Sequence, residues 1–318
     1  MKFVFLVDPL AGLKISKDTS YVLMLAAVER GHEAWVVFAN SFVLRAGKLV
    51  LKAERVTPTD NKSEPFLFHE KRELKADEIN AFLIRTDPPF DAKYLTHTWF
   101  LDYLPEEIPV INSTLGLRSV NEKIWAAQFN DVTPITEITC DLTDFQKFLQ
   151  EHKKIAVKPA NGFGGASVFL TEVEDKNANV IFETLSAQGK EYVILQKYLP
   201  AATEGDKRIL LLDGEPLGAI LRMHSETDHR NNFAAGGKAL PAEITPRELE
   251  IIEKLKPYLN KLDLFFVGID IIGETLIEVN VTSPTCLREM ISAYGKRLDL
   301  QVIEAIEHRT QAKNNAHS

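Results

Sequence analysis

Phe266-Val267-Gly268-Ile269-Asp270-Ile271-Ile272-Gly273-Glu274-Thr275-Leu276-Ile277-Glu278-Val279-Asn280 is the stretch on which the fold turns. Two apolar runs flank Gly273-Glu274-Thr275, so the segment folds back on itself as a hairpin. With a three-residue turn at 273–275, Asp270 lies directly across from Glu278. Asn280 then shares the face of Glu278, because side chains alternate along a strand. Ile271, Ile277 and Val279 are expected to face the core. Carboxylates opposed across a hairpin repel unless a cation stands between them. Hard oxygen ligands without His or Cys suit Mg²⁺, which takes one or two carboxylates, waters and phosphate oxygens. The competing reading is a solvated hairpin face with incidental acids. Asn280, in so apolar a hairpin, favours the metal.

Upstream, Ile155-Ala156-Val157-Lys158-Pro159 is an apolar strand that carries a lysine, followed by Asn161-Gly162-Phe163-Gly164-Gly165-Ala166-Ser167. A lysine partly buried on a strand needs an anion, and glycines let backbone amides approach a phosphate. A plain hairpin turn with an edge lysine is the alternative. No G-K-[ST] ends the loop, so it is not a Walker A loop. Glu191-Tyr-Val-Ile-Leu-Gln-Lys-Tyr-Leu-Pro200 is an apolar strand entering a polar hinge, suited to a purine ring or to simple burial. Asp213-Gly214 between apolar runs signals a hairpin over 209–222. Arg208 and Arg222 sit at its open end, beside Asp206 and Lys207, as a phosphoryl and oxyanion clamp or a solvated end. The polar stretch 224–238 holds Arg230-Asn231-Asn232 and Gly236-Gly237 without periodicity, and is expected to be a lid.

Further outward, residues 1–115 alternate strand and helix. Strands are expected at 4–7, 34–38, 81–84 and 110–111, and a helix over 19–30 that stops at Gly31. That order points to a parallel α/β sheet. The absence of a G-x-G-x-x-G after the first strand argues against a dinucleotide-binding domain. The polar stretch 43–75 fits no element clearly. Helices are expected at 121–130, 142–152, 246–262 and 298–309, with a disordered tail at 311–318.

The 318 residues allow two or three compact units. A net charge of −8 speaks against a general nucleic-acid binder. No apolar run approaches the ~20 residues of a membrane helix, and the short first apolar run lacks a cleavage site. A cytoplasmic protein is expected. Two distant cysteines, Cys140 and Cys286, are expected to be free thiols.

Taken in order, Arg85-Thr86-Asp87-Pro88-Pro89-Phe90-Asp91, Asn121-Glu122-Lys123, Lys158-Pro159 with its glycine loop, Gly205-Asp206-Lys207-Arg208, the 230–237 segment and Glu278-Val279-Asn280-Val281-Thr282-Ser283-Pro284-Thr285-Cys286 closely resemble the bacterial glutathione synthetases of the ATP-grasp superfamily. The resemblance implies a parallel-sheet, Rossmann-like α/β domain at 1–120. An ATP-grasp fold of two α+β subdomains would follow, a lid at 121–200 and a C-terminal subdomain at 201–318. It implies that ATP phosphorylates the C-terminal carboxylate of γ-glutamylcysteine and that the glycine amine displaces phosphate. Lys123 and Lys158 would hold the phosphates, with Gly164, Gly165 and Asp206 beside the nucleotide, and Gln196, Lys197, Tyr198 and Leu199 would form the adenine hinge. Asp270, Glu278 and Asn280 would carry two Mg²⁺ or Mn²⁺ ions, and Arg208 and Arg222 would stabilise the acylphosphate transition state. Arg85, Asp87, Arg230, Asn232, Ser283, Thr285 and Arg288 would bind the peptide. A homo-oligomer, dimer or tetramer, is implied, with no nucleic-acid or membrane partner. Two departures stand out: 223–229 is more polar than the family pattern, and Asn161 stands where the pattern has aspartate. The rival readings are another ATP-grasp ligase, of the D-alanyl-D-alanine or glutamate-adding type, and a non-catalytic ATP-binding protein of this fold.

Overall fold

The computed structural model describes residues 1–162, 167–223 and 238–316. The first sheet holds β1 (Lys2–Leu6), β2 (Glu33–Val37), β3 (Phe42–Arg45), β4 (Lys48–Pro58), β5 (Phe66–Lys75), β6 (Ala81–Ile84) and β7 (Val110–Ile111). Its order is β3-β4-β2-β1-β6-β7, with β5 also paired to β4. The β2-β1-β6-β7 half is parallel and the β3-β4-β5 arm is antiparallel. The expected parallel sheet is therefore only half of the sheet, and the stretch that fitted no element is its antiparallel extension. β5 exposes most of its residues, so it carries almost no apolar alternation that a sequence reading could catch.

Three helices belong with this sheet: α1 (Thr19–Glu29), α2 (Ala92–Leu101) and α3 (Thr114–Ser119). Asp18 caps α1 by accepting from the Tyr21 amide, and Gly31 follows its end at φ +81°. The helix expected over 121–130 is instead a turn followed by a short 3₁₀ segment, Trp125–Gln128. The Asn121 side chain accepts from the amides of Lys123 and Ile124, a local bond that competes with helix.

The second sheet, ordered β10-β9-β11-β8, is antiparallel and holds β8 (Thr136–Thr139), β9 (Lys154–Pro159), β10 (Phe169–Glu172) and β11 (Val193–Lys197). α4 (Leu142–His152) and α5 (Ala178–Leu185) supply it with a core of its own. There the Phe145 and Phe182 rings stack at 4.7 Å above Ile155, Val157, Val193 and Leu195.

The third sheet runs β14-β13-β12-β15-β16, from β12 (Asp206–Leu212), β13 (Glu215–Met223), β14 (Lys238–Pro241), β15 (Phe266–Ile272) and β16 (Thr275–Asn280). Asp213 and Gly214, at φ 54° and 77°, make the hairpin turn that Asp-Gly predicts. The β15–β16 turn is two residues, Gly273 and Glu274, not three. Ile272 pairs Thr275 and Ile271 pairs Leu276, and a bulge after Asp270 then restores the pairing of Asp270 with Glu278. The bulge also puts Leu276 in the core, fully buried, while Ile277 is only half-buried.

α6 (Pro246–Lys261) starts with a capping box from Thr245 and Glu248. α7 (Leu287–Tyr294) and α8 (Leu298–Ala316) complete the chain. α8 continues through the polar stretch expected to be disordered; no Gly or Pro interrupts it, and the Lys313 ammonium donates to the Glu106 carbonyl at 3.0 Å. The first and third sheets share their cores: Phe3, Phe5 and Met24 pack with Leu210, Phe265 and Ile303. No helix among the described residues is long and apolar enough to cross a membrane.

Candidate active site

The face of the third sheet carries a row of charges. Residues two apart on a strand share a face, so Asp206 and Arg208 on β12 look the same way. Cross-strand pairing sets Arg222 opposite Asp206, Asp270 opposite Arg208, and Glu278 opposite Asp270. Arg208 grips Asp270 through Nε and Nη2, the latter at 2.9 Å, and Arg222 Nη2 reaches Asp270 at 3.1 Å. Arg222 also forks onto Asp206, with Nε at 2.9 Å. Arg208, Arg222 and Asp270 are all buried. Burial alone would raise the Asp270 pKa, but the two guanidiniums outweigh it and hold the carboxyl well below the usual range. Side-chain cations thus accompany both carboxylates: two arginines at Asp270, and Lys123 at Glu278, 2.7 Å away.

Lys123 also donates to the Gly162 carbonyl, which ties it to the loop after β9. Asn121 reaches the same loop through the Asn161 side chain at 3.2 Å. Lys158, on β9 opposite Ile194, is buried rather than partly buried. Burial pushes its amine down to about 8; Glu278 opposes the shift and Lys123 adds to it. Below pH 8 this amine is mostly charged, and above it mostly neutral. The KM for ATP should then climb above about pH 8, by up to about tenfold per unit in the limit where the charged amine is required. With Lys158 holding phosphate, as the resemblance implies, ATP binding near that pH should take up a proton, which calorimetry in buffers of differing ionisation enthalpy would detect. A KM that is flat to about pH 9.5 would take Lys158 out of the phosphate site.

At the expected hinge, Gln196 is buried and its amide donates to Thr136 Oγ1 at 3.0 Å. The Lys197 and Tyr198 amides bond to the carbonyls of Ile135 and Lys154, and the Lys154 ammonium lies 4.6 Å over the Tyr198 ring. The hinge is thus braced against β8 and β9, and the Leu199 carbonyl accepts from Ala202.

On the far side, Arg85 is buried, donating to Ser20 Oγ at 3.1 Å and to the Pro284 carbonyl at 2.9 Å. The Ser283 hydroxyl lies 3.5 Å from the Arg85 carbonyl. Burial raises the Asp87 carboxyl, with Arg85 opposing and Asp8 and Asp18 adding. Arg288 lies over the Tyr21 ring at 5.3 Å, and Asp18 feels both Arg85 and Arg288. Arg85, Asp87, Ser283 and Arg288 therefore lie in one neighbourhood, with Arg85 and Ser283 buried, while the exposed Thr285 contacts Cys286 at 3.8 Å. Cys286 is buried, and burial raises its thiol despite the nearby arginines, which keeps it a poor nucleophile. Cys140 and Cys286 are both free. Gly164, Gly165, Arg230, Asn232 and the 224–237 part of the expected lid lie outside the described residues. Sequence reasoning missed Asp18, although Asp before Thr-Ser and an apolar helix is a recognisable cap. It also missed Asn112 and the role of Glu122, which only tertiary contacts reveal.

A buried lysine on one antiparallel sheet and a carboxylate hairpin on another are the arrangement of an ATP-grasp ligase. Family profiles agree: the prokaryotic glutathione synthetase ATP-grasp domain matches residues 122–295, and the N-terminal domain of the same family matches residues 1–118. The chain belongs to the prokaryotic glutathione synthetase family. It is 37% identical over 314 residues to the glutathione synthetase of Vibrio cholerae, covering 98% of this chain and 99% of that one. The glutathione synthetase of Escherichia coli is 36% identical over 313 residues, with coverage of 98% and 99%. Among solved structures, D-alanine–D-alanine ligase from Bacillus anthracis, complexed with ATP, superposes with a TM-score of 0.61. It covers 100% of this chain and 99% of that one at 14% identity, a likeness of fold alone.

Proposed function

We propose that this enzyme makes glutathione by way of an acylphosphate. In the first step the γ-phosphoryl group of ATP passes to a C-terminal carboxylate oxygen of γ-glutamylcysteine, and ADP leaves. The glycine nitrogen then attacks the acyl carbon: a C–N bond forms, the C–O bond to phosphate breaks, and the amine gives up a proton. The observation that carries this reading is the convergence of four fixed cations, Lys123, Lys158, Arg208 and Arg222, around a row of buried or half-buried carboxylates. Such a site stabilises a transferring phosphoryl group and its oxyanion by position and charge, without a side-chain nucleophile.

The Asp270 and Glu278 carboxylates and the Asn280 amide oxygen are hard donors from one hairpin face, a set that fits Mg²⁺ or Mn²⁺; Asn280 now donates its Nδ2 to Asp270 at 3.4 Å and would turn its oxygen to the ion. Among the described residues no three His, Cys, Asp or Glu side chains stand together as a cage, so an ion here would complete its shell with substrate oxygens. When bound, the metal would neutralise phosphate charge. Arg208 and Arg222 would then hold the developing acylphosphate oxygens, and Arg85, Asp87, Ser283, Thr285 and Arg288 would orient the peptide. Residues 121–200, of which 142–195 have a core of their own, would act as a lid on the 201–318 subdomain, while 1–120 would supply part of the peptide surface. A cytoplasmic location and assembly into a homo-oligomer fit the same reading.

The test is phosphate release with a panel of acceptor and amine pairs, with the peptide carboxylate ¹⁸O-labelled. Label appearing in the released phosphate supports the acylphosphate. Release with a D-alanine pair and none with γ-glutamylcysteine plus glycine would overturn the substrate assignment.

A further inference from the structure

Val281 and Thr282 join the carboxylate-bearing end of β16 to the segment at Ser283 that faces the peptide surface. All four of their backbone polar groups are bonded by side chains of other elements. The Val281 and Thr282 amides donate to Glu122 Oε1 at 2.7 and 2.9 Å, and the Thr282 hydroxyl donates to the same oxygen at 2.9 Å. The Val281 carbonyl accepts from Asn112 Nδ2 at 2.8 Å, and the Thr282 carbonyl from the Tyr94 hydroxyl at 3.4 Å. The main chain of Glu122 takes part as well: its carbonyl accepts from the Val279 amide at 3.1 Å. The next residue, Lys123, is the one whose ammonium meets Glu278.

We infer that Glu122 is a positioning residue, one whose carboxylate clasps the 281–282 segment and so fixes the phosphate lysine, the metal-facing strand and the peptide segment as one rigid unit. Three donors on a single carboxylate oxygen make short, charge-assisted bonds with a defined direction. Glu122 lies between Asn121, which holds the glycine-loop side, and Lys123, so a shift of this segment moves both. A displacement of about 1 Å in such a frame costs on the order of a hundredfold in rate even far from the reacting atoms. The inference rests on the reaction proposed above.

Glu122→Ala and Glu122→Gln separate positioning from mere stability. Glutamine keeps a carbonyl oxygen where Oε1 stands and can accept the same three bonds. The expected result is a kcat for E122A lowered by at least about thirtyfold, with the KM values for both ATP and γ-glutamylcysteine raised, and a kcat for E122Q within about fivefold of the parent. Thr282→Val, which removes only the hydroxyl bond, should fall between. An E122A enzyme with kcat within about threefold of the parent and only a lowered melting temperature would overturn the inference, leaving a structural clasp. So would an E122Q enzyme as poor as E122A. If E122A does not fold, T282V decides, since a parent-like kcat there overturns the clasp. A parent protein without turnover would count against the proposed reaction instead. The clasp would then stand or fall on whether E122Q and T282V retain ATP affinity in that order.

Discussion

Arg208→Met should abolish measurable turnover and cost about 3–5 kcal/mol of stability, the range for removing one partner of a buried ion pair. Arg208 is buried and grips Asp270 with two donors, and Arg222 reaches the same carboxylate. Without Arg208, a single guanidinium is left to serve both Asp206 and Asp270. Gly268 leaves room for this side chain: a Cβ there would stand 3.2 Å from Arg208 Cδ and 3.3 Å from Nη1 and would crowd the guanidinium where it crosses β15. Urea unfolding followed by circular dichroism reads the stability term, and phosphate release reads the chemistry. A variant within about 1 kcal/mol of the parent would show that the pair does not hold the sheet face together. A destabilised variant that still turns over would remove Arg208 from the phosphoryl clamp. Arg208→Lys, which keeps the charge and loses the fork, should recover stability in part and activity little.

Glu278→Gln is expected to lower turnover by at least about a thousandfold while changing stability by about 1 kcal/mol or less. The contrast with Arg208 follows from burial, because the Glu278 side chain keeps 18% exposure and water can solvate what the substitution leaves. Two effects combine in the rate. The hairpin face loses one of the two carboxylates proposed for the metal, and Lys123 loses the partner that holds its ammonium at 2.7 Å. Titrating Mg²⁺ in the phosphate-release assay separates them. Partial recovery at high Mg²⁺ assigns the loss to the metal; a saturated but slow enzyme assigns it to Lys123. Near-normal turnover at all concentrations would remove Glu278 from the site.

The hairpins were legible because their turns are local chemistry. Asp213-Gly214 and Gly273-Glu274 lie between apolar runs, and alternation then puts Arg208, Asp270 and Glu278 on one face. The route to the Asp270–Glu278 pairing was not legible, since a two-residue turn with a bulge and a three-residue turn predict the same partners. The β3-β4-β5 arm escaped because much of it is solvated and carries no strict period. The charge balance escaped for another reason. That Asp270 would be held by two arginines depends on β12 pairing with both β15 and β13, and the β12–β15 partners Arg208 and Asp270 are 62 positions apart. Glu122 was least legible: three bonds to residues 159 and 160 positions away leave no trace in its own neighbourhood.

The shared core of the first and third sheets bears on how the chain is born. The face of β1 carrying Phe3 and Phe5 belongs to the same cluster as Val302, Ile303 and Ile306 of the last helix. Arg30, just after α1, forks onto Glu307. A ribosome therefore releases the first strand long before it makes the helix that covers it. The nascent domain must carry an open apolar face until residues 302–306 have emerged. The middle sheet, whose cluster draws only on residues 142–195, can close while translation continues. Assembly order is then written into the topology: the middle sheet can close first, and the core shared by the first and third sheets is whole only once residues 302–306 have been made.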